Sequence, residues 1–195
     1  YEINLPNDLV VSKQINTIER NKGLIITSNV PISPLYRISN RFNRMLANLK
    51  GNGALGRNFR LASPVRASGN ARNEERHFFS IMATKDSTTI KVDESPFPLD
   101  GVTLPFTAVL NAGETILFHP QNHNHHITGT LVAADEPVSV FVGTQHTDAN
   151  RTRNREAGGD LAIPFTKLGN HYVCIRGGFP SSRHDYAMVV AIMDG

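Results

Sequence analysis

Four imidazoles fall within eight residues in His119-Pro120-Gln121-Asn122-His123-Asn124-His125-His126. Neutral imidazole is a ligand for Zn²⁺ and Cu²⁺, and on an extended strand His123 and His125 project from one face. His119, His123, His125 and His126 therefore form a candidate metal site, the one place where the sequence allows a cofactor. No Asp, Glu or Cys lies inside the cluster and no HExxH helix accompanies it. A polar hairpin tip without metal is the competing reading, and a metal-dependent enzyme is a third. Neighbouring histidines also titrate near neutrality.

The second candidate chemistry is anion recognition. Arg presents a planar fork that pairs in bidentate fashion with carboxylate, sulfate and phosphate. From Arg20 to Asn73 there are ten basic residues and no acidic one. Residues 1–73 carry a net +8 and residues 74–195 a net −5, so the overall +3 hides a strong asymmetry. The N-terminal part thus has no acidic partners of its own. Candidate ligand-binding side chains are Arg37, Arg41, Arg44, Lys50, Arg57 and Arg60, with Arg151, Arg153 and Arg155 as a later counterpart. They suit an acidic glycan, a mucin-type glycoprotein or a mineral surface. A solvated surface, or a patch facing the acidic half of another copy, is the alternative. Nucleic acid lacks support, because aromatics are sparse, Trp is absent and no nucleic-acid motif occurs. No Gly-x-Ser-x-Gly elbow or P-loop is present, and Ser181, Ser182, His184 and Asp185 have ordinary loop composition, so no catalytic residue is nominated.

The elements that must position these groups are strands, and part of the pattern is written twice. Gly23-Leu24-Ile25-Ile26-Thr27-Ser28-Asn29-Val30-Pro31-Ile32-Ser33 matches Gly129-Thr130-Leu131-Val132-Ala133-Ala134-Asp135-Glu136-Pro137-Val138-Ser139 at a constant offset of 106. Each copy is Gly, an apolar run, an Asn or Asp, then x-Pro and a second apolar run, which predicts a β-hairpin. Leu55-Gly56 matches Leu168-Gly169 at an offset of 113, and Phe79–Asp86 matches Ala187–Asp194 at 108. Three anchors in the same order point to duplication. The second unit stops short of the strand that follows Asp86 in the first, so the N-terminal segment or another chain is expected to cover its edge.

Strands are predicted over residues 16–19, 23–28, 32–38, 58–63, 77–84, 88–93, 102–110, 115–119, 127–133, 138–143, 171–176 and 186–193, with tight turns at Lys85-Asp86-Ser87 and Asn111-Ala112-Gly113-Glu114. One helix is predicted, because Phe42, Met45, Leu46 and Leu49 fall at i, i+3, i+4 and i+7 between Ser39 or Asn40 and Gly51. The lone cysteine, Cys174, is expected as a buried small hydrophobe. The fold expected is all-β, two related antiparallel units of ~100 residues, sandwich-like, with a propeller-like arrangement of short sheets as the alternative. The units are 1–106, with the basic connection 37–60, and 107–195, with connection 144–167, packed as one compact body.

Residues 23–33, 54–56, 81–90, 110–115, 128–130 and the run through Val142-Gly143 together resemble the N-terminal domain of the IgGFc-binding protein family. The resemblance implies an extracellular β-rich module used in adhesion or glycoprotein binding, secreted or at the cell surface, with no catalytic residues to carry over. No apolar run approaches the ~20 residues of a membrane span. Tyr1 in place of Met leaves a processed N-terminus and an internal boundary both open, and Asn150-Arg151-Thr152 is a candidate glycosylation acceptor. The expected function is non-enzymatic recognition of an anionic partner through Arg-rich loops. A matrix or filament protein that self-associates head to tail is the second reading.

Overall fold

Val132, Val138, Val140 and Val142 are all buried, and all sit at even positions of one run, Leu131–Thr147. That period-two burial marks a strand with one face on the core. In the computed structural model, which describes residue 5 and residues 14–39, 44–63, 76–147, 156–175 and 188–192, this run is the longest strand. The ten strands are β1 (Ile18–Glu19), β2 (Leu35–Ser39), β3 (Arg44–Asn48), β4 (Leu55–Arg60), β5 (His77–Ala83), β6 (Thr88–Glu94), β7 (Phe106–Leu110), β8 (Thr115–Phe118), β9 (Leu131–Thr147) and β10 (Glu156–Leu161). Two 3-10 turns, Gly51–Ala54 and Phe165–Lys167, complete the described elements, and none of them is an α-helix.

Every pairing is antiparallel. β9 has β5 and then β6 along one edge, through Phe79↔Val142 and Val92↔Val132. Along the other lie β10 and then β4, through Asp160↔Val142 and Phe59↔Val132. β8 and β1 extend the sheet beyond β5, and β7 extends it beyond β6. The segment 84–87 carries the chain from β5 to β6, and 111–114 from β7 to β8, so each turn passes from one half of the sheet to the other. The two halves fold face to face as an all-β sandwich. Phe118 of β8 stacks on Phe79 with ring centroids 4.9 Å apart and meets Phe106 of β7 edge-on at 5.3 Å. Phe59, Leu61, Ile90, Leu110 and Ile127 fill the space around them. A propeller-like arrangement is not formed, since eight strands share a single sheet. Residues of both predicted units meet in it, β9 from the second pairing with β4, β5 and β6 from the first.

Several local expectations are corrected. The second copy of the repeated phrase is one continuous strand rather than a hairpin. Residues 135–137 pair with neither neighbour, and this bulge accommodates Pro137, which has no N–H to give to a ladder. The first copy, residues 23–33, lies in no strand and is largely exposed. The predicted helix is replaced by β3, whose Met45 and Ala47 are buried while Leu46 is exposed, a period of two that β2 completes with backbone hydrogen bonds. Residues 171–175 and 188–192 lie in no strand, and Cys174 is exposed.

Three segments meet at one end of the sandwich. The Gly113 N–H donates to Ala83 O at 2.9 Å and the Ala83 N–H to Glu114 O at 3.1 Å. Side chains lock the two turns together, since Ala112 N–H donates to Asp86 Oδ1 at 3.0 Å and Ser87 N–H to Asn111 Oδ1 at 3.1 Å. Gly113 has φ +79°, a conformation that L side chains rarely adopt. The β9 bulge joins them through the Thr84 hydroxyl, which donates to Pro137 O at 2.5 Å.

Phe118 touches aromatic rings of both halves, so its removal should leave a cavity that neither can close. Phe118→Ala is expected to lower unfolding free energy by about 3–5 kcal/mol, read from urea denaturation. A loss below about 1 kcal/mol would contradict this packing.

Candidate binding surface

The basic residues nominated by sequence do not share one environment. Lys50 Nζ donates to Asp160 Oδ2 at 2.6 Å and to Leu161 O at 2.9 Å. Arg57 reaches Glu136 at 3.2 Å from β4. Arg60 pairs with Glu94 at 3.1 Å and donates to Gly129 O at 3.1 Å. Arg20 follows the same rule, meeting Glu114 at 3.0 Å. The basic N-terminal part is therefore not without acidic partners, because antiparallel pairing brings acids from positions 94–160 alongside it.

Arg37 is different. It lies exposed on β2 and takes part in no ion pair among the described residues. β2 and β3 form a separate two-stranded sheet with Arg37 opposite Leu46, and β3 lies against β10. The inner face holds Met45, Ala47 and half-buried Tyr36, whose phenol is pushed up in pKa by burial. The outer face leaves Leu35 and Leu46 exposed around the guanidinium. Arg44 is the backbone partner of Ser39. Its side chain, together with Arg41, Arg151, Arg153, Arg155, Ser181, Ser182, His184 and the Asn150 acceptor, lies outside the described residues.

The histidine segment closes the other end of the sandwich. It runs beside the β6–β7 connection, with the Gln121 N–H donating to Pro98 O at 2.9 Å and the Asp100 N–H to His119 O at 3.0 Å. Arg76, which the sequence reading passed over, ties both segments together. Its Nη1 lies 3.2 Å from Asp100 Oδ2, 3.0 Å from Pro120 O, 3.0 Å from Gln121 O and 3.2 Å from His119 Nδ1. The same Nδ1 lies 3.1 Å from Pro120 O, so it accepts from the guanidinium or donates to the carbonyl according to the ring tautomer. Burial lowers the His119 pKa, and the Arg76 charge acts in the same direction, against raising contributions from Pro120 O and Asp100. His125 stacks on Phe97 at 4.1 Å and His126 meets the same ring edge-on at 5.0 Å. Three of the four histidines are thus engaged in packing, His125 and His126 on the Phe97 ring and His119 against Arg76. Among the described residues, no group of three or more His, Cys, Asp or Glu is arranged to hold a metal ion.

The acids of the repeated phrase are also engaged at the bulge. Asp135 Oδ1 accepts from Thr89 N–H at 2.8 Å, and Glu136 accepts from Lys85 at 3.0 Å as well as from Arg57. The hydrogen bonding to Thr89 lowers the pKa of Asp135, and that to Lys85 lowers the pKa of Glu136. These interactions make Asp135 and Glu136 braces of the corner. Beside them, a hollow lined by Thr89, Lys91, Ala133, Ala134 and Asp135 is open to solvent.

A family model described as IgGFc binding protein matches residues 48–195. Neither the curated proteins nor the solved structures contain a match to the chain.

The clasp around His119 has a definite pH signature. A folded pKa below the ordinary value of about 6.5 means that the unfolded chain binds the proton more readily. The stabilisation is therefore complete above about pH 6.5 and is lost as pH falls through the lower folded value. Urea midpoints measured from pH 7.5 down to 5 should fall in wild type and fall less steeply in His119→Gln. Equal slopes in the two proteins would remove His119 from the linkage.

Proposed function

This chain belongs to the IgGFc-binding protein family, and on that footing we propose that it is an extracellular, non-enzymatic binding module for an anionic glycoprotein or acidic glycan. The observation that carries this reading is the outer face of the β2–β3 hairpin, where Arg37 stands exposed between Leu35 and Leu46. A guanidinium in that setting offers a bidentate fork to carboxylate or sulfate, and the flanking leucines offer apolar contact to the partner's surface. The guanidinium of Arg57 and the ammonium of Lys50 are already occupied by carboxylates. An incoming anion would have to displace Glu136 or Asp160 to use them, so these residues serve the scaffold and Arg37 serves the ligand. Membership of a binding-protein family supports a binder over an enzyme. No helix among the described residues is long and apolar enough to cross a membrane.

Binding of a sulfated or sialylated glycoprotein should weaken about 10-fold in Arg37→Ala, the order of one charge-assisted hydrogen bond to an anion. Arg57→Ala should stay within about twofold, because its partner is an exposed internal acid. Affinity for wild type should also fall steadily between low and high ionic strength. Salt-independent affinity, or equal losses in the two variants, would sink the assignment to Arg37.

A further inference from the structure

Three apolar segments carry strand-forming sequence and have no strand partner among the described residues: 23–33, 168–174 and 188–192. Their large side chains face solvent, with Ile25 54 %, Val30 59 %, Val173 79 % and Val189 87 % exposed. The internal repeat relates each segment to a strand whose seat is known. Residues 23–33 correspond to 129–139, which lead into and form the first half of β9. Residues 168–174 correspond to 55–61, which form and follow β4, and residues 188–192 correspond to 80–84 at the end of β5. In the sandwich β9 lies between the other two, with Leu55 and Met82 on opposite sides of Ser139.

We propose that residues 23–33 of one copy seat as a strand between 168–174 and 188–192 of a second copy, rebuilding the β4–β9–β5 arrangement in trans. The repeat dictates the register. Ser33 stands where Ser139 does, so it takes Leu168 on one side and Val190 on the other. Gly129 N–H donates to Leu61 O at 2.7 Å and Leu61 N–H to Thr130 O at 2.9 Å. The equivalent exchange sets Cys174 against Gly23 and Leu24. Within one copy the segments leave the sandwich from different strands. Residue 23 is held at the β5 side, where a Cβ on Gly23 would collide with Met82 and Gly113, whereas Pro164 packs on Gly56 of β4. The sequence supports a second copy as the occupant, because the same chain carries both the central strand and the two segments that would flank it. Each copy gives one central strand and receives one, so the exchange closes as a twofold dimer.

The register makes the test specific and independent of the glycoprotein reading. Wild type should sediment as a dimer at high micromolar concentration, and Ile32→Lys should weaken the dimer at least about 10-fold while leaving the far-ultraviolet dichroism of the sandwich unchanged. Under mild oxidation Leu24→Cys should give a disulfide-linked dimer through Cys174, lost when Cys174→Ala is added. Val109→Cys, exposed on β7 away from the segments, should stay unlinked. A monomer at every concentration, an intrachain disulfide in Leu24→Cys, or equal linking by Val109→Cys would overturn the proposal.

Discussion

A strand with partners on both edges has its backbone N–H and C=O groups committed along its length, and neighbours must meet it in one register or leave those groups unpaired. β9 imposes this condition on four strands at once. Where the ladder is relaxed, at residues 135–137, the chain can hold a proline and bend, and the same bend carries β9 from one half of the sandwich to the other. The turns 84–87 and 111–114 make the crossing beside it and bond to one another. The aromatic contact among Phe79, Phe106 and Phe118 follows from that shared corner, because only a sheet folded there brings β7 over β8.

Charge obeys the same geometry. Basic residues early in the chain and acidic residues late in it become neighbours through antiparallel pairing. Glu136 shows the economy of the arrangement: from the bulge it holds Lys85 of one crossing and Arg57 of β4. Such exposed pairs add little stability individually, because solvent screens them. Their larger effect is selective, since each occupied cation is withdrawn from outside anions. Among the nominated cations whose side chains are described, Arg37 stays outside these pairs, on a hairpin that stands outside the main sheet.

Period-two burial was legible in β6, where Ile90 and Val92 alternate with Thr89, Lys91 and Asp93; in β5 and β9 the apolar Phe78, Met82 and Phe141 on the outer face blur the same alternation. The all-β class followed from it, whereas the family was read from the order of the motifs between Gly23 and Gly143. Asp135-Glu136-Pro137 was misread as a turn because a bulge uses the same residue types as a hairpin; only the partners on either side tell them apart. Arg44–Leu49 satisfied helical spacing and alternation together, and β2 decided between them. The ion pairs were invisible, since Lys50 and Asp160 are 110 positions apart and no local pattern announces such a contact. Arg76 was overlooked for the same reason, its role being set by Asp100 and the main chain of Pro120 and Gln121.

β1 joins the sheet by two residue pairs at the outer edge of β8, whereas β9 is bordered along both edges. Tension entering through the N-terminal side would load the β1 contacts one after another, like a zip, while the many bonds bordering β9 would share it in shear. The N-terminal stretch would peel away first and pay out slack, and the sandwich would keep its shape as it did so.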